Sequence, residues 1–192
     1  TRDDWTQKKE SGAINIGEGY TMKSTGKVPQ NYTFVGTPND GTITKTVSAG
    51  TTSLIGNPYP STLNASKFIT DNSNSLDGTL YFWEHKGEST TTSQVEGHGE
   101  FGYIGGYSQR NIAMGVAANS VTAGTAGIGN ETYTQPTNFI AIGQGFFASS
   151  NGTGGSFSFK NTQREFSTSS IFFKGSKLNN ASEGTFKLGF DY

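Results

Sequence analysis

Apolar positions along the chain fall in short alternating runs, each closed by Gly, Asn, Asp or Pro, a spacing that predicts antiparallel strands rather than helices. The runs are Thr79 to Glu84, Phe101 to Ile104, Asn111 to Val116, Phe139 to Ile142, Gly145 to Ser149, Ser156 to Lys160, Ser170 to Phe173 and Thr185 to Phe190. The clearest hairpin pairs Asn31 to Val35 with Thr42 to Val47 across Thr37-Pro38-Asn39-Asp40-Gly41, where Pro presets φ and Gly supplies a left-handed residue. One short helix is expected over Ser61 to Ile69: Ser61 stands as the cap after Pro60, and Leu63, Ala65, Phe68 and Ile69 fall mostly on one face. The stretch from Ala117 to Gln135 is weakly patterned and is expected to be the mobile loop. No fixed-period repeat is present, which disfavours solenoids and propellers. Together these elements predict an all-β fold, an antiparallel β-sandwich of jelly-roll or related type with one short helix, formed as a single module over residues 1–192.

Composition tells which side chains do the burying. Leu, Ile, Val and Phe together make just under a fifth of 192 residues, whereas 14 Phe, 8 Tyr and 2 Trp are present, so rings carry the core. Close to half of the chain is Gly, Thr, Ser or Asn, poor material for helix and good material for turns and strand surfaces. With 14 basic and 15 acidic residues and no basic run beyond Lys8-Lys9, there is no electrostatic footprint for nucleic acid and no polybasic membrane patch. Apolar runs fall far short of the roughly 20 residues a membrane-spanning helix needs. Cysteine is absent, which excludes a disulfide scaffold, iron–sulfur clusters and thiol chemistry. The start, Thr1-Arg2-Asp3-Asp4-Trp5, has no apolar signal region and reads as a mature chain or an excised piece.

An ordered set of blocks carries a resemblance. Gly17-Glu18-Gly19-Tyr20-Thr21-Met22-Lys23, Tyr32 to Gly41, Leu54-Ile55-Gly56-Asn57-Pro58-Tyr59-Pro60-Ser61 and Leu80-Tyr81-Phe82-Trp83-Glu84-His85 come first. Tyr103 to Ser108, Phe139 to Phe147 with its Gly143-Gln144-Gly145-Phe146-Phe147 core, and Phe157 to Arg164 follow. The succession, from Gly17 to Phe173, resembles a module of large surface proteins of Bacteroidota exported by the type IX secretion system. The resemblance implies an extracellular or cell-surface location, other domains of the same surface protein as partners, and a non-catalytic structural or adhesion role. It brings no catalytic residues with it, and the tail from Lys174 to Tyr192 shows no clear sorting domain. The alternative is a carbohydrate-binding accessory module of a secreted polysaccharide-degrading protein, with surface glycans as partners.

Read physically, Gly56-Asn57-Pro58-Tyr59-Pro60-Ser61 is a structural corner: two prolines fix the backbone, Asn57 bonds nearby amides and Tyr59 packs inward. Gly143 to Phe147 lacks the Lys-Ser/Thr ending of a phosphate loop, so its glycines are expected to allow close strand approach while the Phe pair faces a core and a sheet neighbour. His98, in Glu96-Gly97-His98-Gly99-Glu100, has no second His nearby to build a zinc site. Between Asp71 and Gly78, the carboxylates Asp71 and Asp77 are candidate calcium ligands, set against the reading of a plain solvated loop, and otherwise no cofactor is expected. Glu84 with Glu96 is a formal glycosidase pair, and no Gly-x-Ser-x-Gly occurs. The candidate ligand-binding residues are Tyr81, Trp83 and His85, which share one face of a strand while Leu80, Phe82 and Glu84 share the other. Facing solvent, the first set is a stacking platform for sugar rings; facing inward, it is core, the reading favoured by the scarcity of other buried mass.

Overall fold

A computed structural model describes residues 13–21, 34–89, 102–119 and 133–173 together with Thr6, with the backbone alone for 85–89 and 102–104. Its elements are β1 (Ile43–Val47), β2 (Thr52–Gly56), β3 (Leu63–Asn64), α1 (Ala65–Asp71), β4 (Leu76–Ser89), β5 (Gly102–Arg110), β6 (Gly115–Val116), β7 (Phe139–Ile140), β8 (Gly145–Ser150) and β9 (Gly155–Phe159). One antiparallel sheet has the order β2-β8-β4-β5-β6, and two smaller ones pair β1 with β9 and β3 with β7. This is an all-β sandwich with one short helix, as the alternating pattern predicted. Among the described residues no helix is long and apolar enough to cross a membrane.

The sandwich turns one corner with two strands at once. β1 lies against β9 from Ile43↔Phe159 to Val47↔Gly155, and β2 continues against β8 from Thr52↔Ser149 to Gly56↔Gly145. The two ladders are halves of one ribbon whose register slips by a residue at the corner, so the first half leaves the five-stranded sheet for the facing layer. The turns cross tightly there. Gly154 has φ 71°, and a Cβ on it would stand 2.7 Å from Ala49 N, so both conformation and space demand glycine. Ser150 ties the corner, its Oγ accepting from Thr51 N at 3.0 Å and donating to Ser48 O. The 72–75 loop is fastened beside it, with Asn151 Nδ2 donating to Asn74 O at 2.8 Å.

Between the layers lies a core of rings. Phe68 of α1 meets Phe146 of the large sheet edge-on at 5.7 Å and Phe159 of the facing ribbon at 5.0 Å. Phe82 packs on Phe146 at 5.7 Å and stacks on Phe173 at 4.9 Å. Ile55, Leu63, Leu80, Ile140 and Phe157 are buried with them. Such edge-to-face and offset pairs add about 0.5–1.5 kcal/mol each beyond the area they bury.

Several local expectations gave way to non-local pairing. The hairpin of Asn31 to Val35 with Thr42 to Val47 is not seen among the described residues: Phe34 and Val35 are 65% and 95% exposed and not in a strand, while residues 31–33 lie outside them. β1 takes β9, whose Phe157 and Phe159 bring fully buried rings. Residues 37–41 form no hydrogen-bonded turn and dock on the proline corner instead, with Asn39 Nδ2 on Pro58 O at 2.8 Å and Tyr59 Oη on Gly41 O at 2.6 Å. Helix α1 begins later than expected. Leu63 and Asn64 are held in β3, so Asn64 is the cap, its Oδ1 accepting from Lys67 N at 2.9 Å, and Ser61 Oγ accepts from Arg164 Nε instead.

Asn111 Oδ1 accepts from both Ala113 N and Met114 N, which makes a turn where a strand was expected and leaves only Gly115–Val116 extended. Ile171 contributes a single parallel bridge to Ile140, not the strand expected from Ser170 to Phe173. β2 forms where the alternating pattern gives no strand signal, because the run is short and flanked by Gly. The expected strand Thr185 to Phe190 and residues 120–132 of the expected loop lie outside the described residues.

The open edge of β2 is closed by residues 17–19: Gly19 N donates to Leu54 O and Gly56 N to Gly17 O, each at 3.1 Å. Between them Glu18 Oε1 accepts from Lys45 Nζ at 2.8 Å, and this bond holds the Glu18 carboxyl below the usual carboxylate range. A carboxyl lowered in the fold contributes stability that is complete above its unfolded-state value and drains away as pH falls through the folded value. Glu18→Gln should therefore flatten the loss of stability between about pH 5 and pH 3 in denaturant titrations, leaving the slope near neutrality alone.

The packing makes a second prediction. Phe146→Ala should cost about 3–5 kcal/mol in urea unfolding, whereas Phe34→Ala, on a ring that is mostly exposed, should change stability by no more than about 0.5 kcal/mol.

Candidate functional site

Alternation along β4 sorts its side chains cleanly. Leu80, Phe82 and Glu84 are buried, and Tyr81 and Trp83 point to the other face of the five-stranded sheet, Tyr81 half-buried and Trp83 37% exposed. The register extends that face across every strand of the sheet. Leu54 lies opposite Phe147, Phe147 opposite Tyr81, Tyr81 opposite Gln109 and Gln109 opposite Val116. One register along, Trp83 lies opposite Tyr107, which is 46% exposed.

The rings brace one another. Trp83 and Tyr107 have centroids 4.8 Å apart at 58°, and Tyr107 meets Phe147 edge-on at 5.6 Å. Trp83 lies down over Gly105, where a Cβ would stand 2.3 Å from Cζ2, so a missing side chain on β5 makes the bed for the indole. On the far side, Thr52 and Ser149 face each other across β2 and β8 with their hydroxyls 2.8 Å apart. Thr52, Tyr81, Tyr107, Phe147 and Ser149 line a shallow depression of about 320 Å³ that is mostly apolar. Partial burial raises the Tyr107 phenol above its ordinary range, so it is a neutral hydrogen-bonding group at physiological pH.

Of the residues singled out in the sequence, Tyr81 and Trp83 come together on this face, and the expectation that Trp83 is core is corrected: its strand presents Phe82 inward instead. His85 pairs with Gly105 in the backbone, and its side chain lies outside the described residues. Phe146 is core and Phe147 faces the outer sheet row, the split expected of the pair. Asp71 and Asp77 are engaged separately. Asp71 Oδ2 accepts from Gln163 Nε2 at 2.8 Å with Lys160 Nζ at 3.5 Å, and Asp77 Oδ1 accepts from Thr79 N at 2.9 Å. Among the described residues no three His, Asp or Glu converge on a metal position.

Glu84 is buried on the inner face, where its carboxylate accepts from Thr134 N at 2.7 Å and Thr134 Oγ1 at 2.8 Å. Its supposed partner Glu96, and His98, lie outside the described residues. Tyr107, Phe147, Thr52 and Ser149 were missed as site residues because they reach Tyr81 and Trp83 only across strands.

These strands also fall within a family. The family described as Domain of unknown function (DUF8693) matches residues 1–188. The chain belongs to that family. The DUF8693 match contains every strand of the aromatic face. No curated protein and no solved structure matches the chain.

The bed under Trp83 makes a prediction specific to this site. Gly105→Val places a side chain against the indole and 2.7 Å from Glu84 O, so it should cost about 1–3 kcal/mol. In a Trp5→Phe background, which leaves Trp83 as the sole indole, the same change should red-shift the emission maximum as the ring lifts into water.

Proposed function

We propose that this chain is a non-catalytic binding module of an exported bacterial surface protein, and that it adheres to glycans through the outer face of its five-stranded sheet. The observation that carries the reading is the exposure of Trp83 and Tyr107 side by side, braced from below, with the hydroxyls of Thr52 and Ser149 on the far side of the depression that Tyr107 lines. A pyranose ring presents C–H groups on its face and hydroxyls at its rim. Rigid amphipathic rings suit the face, and small hydroxylated side chains suit the rim. Monomeric proteins rarely expose contiguous apolar patches of this kind without using them to bind. The non-catalytic part is supported by Glu84, whose buried carboxylate is committed to Thr134. Export and surface location rest on the resemblance of the sequence blocks.

The test is affinity electrophoresis through gels containing a panel of soluble polysaccharides, with Trp83→Ala and Tyr107→Ala beside the parent protein. Retardation by at least one polysaccharide is expected, weakened about tenfold or more by either substitution. The unfolding midpoint should fall only modestly, since both rings are already partly in water. A parent protein that no polysaccharide retards, or retardation that survives both substitutions, would overturn the reading.

A further inference from the structure

We infer that the ligand of this face is an uncharged polysaccharide bound lengthwise along the strands, with one sugar in the depression and the next against Trp83; this rests on the glycan reading above. The first ground is charge. Thr52, Tyr81, Tyr107, Phe147 and Ser149 include no acid and no base, and Leu54, Gln109 and Val116 add none to the row. The described ion pairs, Lys45 with Glu18, Lys67 with Glu165, Lys160 with Asp71 and Arg164 with Asp40, involve none of these lining residues. Arg110, half-buried on β5, points elsewhere, with Nη2 on Ser66 Oγ at 3.2 Å and Asn138 Oδ1 at 3.1 Å. A uronate or sulfate placed in the depression would lose water and gain no countercharge from the described residues that line it, a cost that selects against it.

The second ground is shape. Two registers beyond Thr52 and Ser149 stand Gly56 and Gly145, paired and without side chains, on the β8 side of Trp83. Among the described residues an outward Cβ at Gly145 would make ordinary van der Waals contact with Leu54 Cδ1 at 3.6 Å and Ile55 O at 3.7 Å and clash with none, so a small side chain would fit there and a larger one would fill the step. From Thr52 to Gly56 the strand advances about 13 Å, room for more than one pyranose ring. The depression at one end and the glycine step at the other form a shallow trough, with Tyr81, Phe147 and Trp83 along its floor and flank.

The experiment divides the gel panel into uncharged chains (hydroxyethylcellulose, glucomannan, galactan) and acidic ones (polygalacturonate, alginate, dextran sulfate). The expected result is retardation by an uncharged chain, unchanged between about 0.05 and 0.5 M salt, where a charge-driven contact would be screened. Gly145→Val should weaken it about tenfold, and Gly145→Ser, which intrudes less, by a smaller factor, with circular dichroism unaltered in at least the serine variant. Retardation by acidic chains alone, falling with salt, would overturn the inference while leaving the glycan reading standing. Binding of an uncharged chain that neither Gly145 variant weakens would overturn the lengthwise placement. Retardation by nothing in the panel defeats the glycan reading itself.

Discussion

A single buried amide, Asn57, fastens the parts of this molecule that the sheets alone would leave loose. Its Nδ2 donates to Ser61 O at 2.8 Å and Ala141 O at 3.1 Å, its Oδ1 accepts from Tyr59 N, and its own N–H donates to Gln144 O. The end of β2, the two-proline corner and the turn before β8 are thereby one unit. Gln144 extends it, accepting from Phe173 N at 2.7 Å, which places Phe173 on Phe82 in the core. Buried groups such as these have no water to fall back on, so each bond is required by the others. Tyr59 can be fully buried only because its hydroxyl reaches Gly41 O, and the Arg164 guanidinium lies over its ring at 5.2 Å.

Large rings make up for the scarcity of aliphatic residues. β8 and β4 each present one ring row inward and another outward: Phe146 and Phe82 fill the interior, while Phe147, Tyr81 and Trp83 form the outer row. Both faces of the large sheet are therefore aromatic, and only one is covered by α1 and the β1–β9 ribbon. The inner rows determine stability. The outer row is less deeply packed, its rings set against Gly105 and against one another.

The blocks that carry the family resemblance have mostly internal work. Gly-Asn-Pro-Tyr-Pro-Ser and the Gly-Gln segment before Phe146 meet through Asn57 and Gln144. Gln163, from the Phe157 to Arg164 block, is wholly buried and bonds Asp71, Ser158 and Lys160. Leu80 to His85 and Tyr103 to Ser108 contribute Tyr81, Trp83 and Tyr107 to the outer face, and the Phe139 to Phe147 and Leu54 to Ser61 blocks add Phe147 and Leu54. The blocks thus speak more strongly about how the chain folds than about what it binds.

Period-two alternation was enough to place Tyr81 and Trp83 on one side of a strand and Phe82 and Glu84 on the other, because the pleat is a property of the local backbone. Short aromatic-rich runs between turn residues were likewise enough for an all-β sandwich, and two prolines around Tyr59 for a corner. Which side of β4 meets water was not contained in that pattern: both sides carry rings, and the choice depends on where α1 and the β1–β9 ribbon come to rest. Nor was the pairing of β1, whose partner lies more than 100 residues away and brings the buried rings of Phe157 and Phe159. The depression was beyond reach for the same reason, since Thr52, Tyr81, Tyr107 and Ser149 become neighbours only once four strands are in register. The sequence by itself determined the strands and their two-sidedness; tertiary structure decided the partners and the wet face, because both follow from burial summed over distant segments.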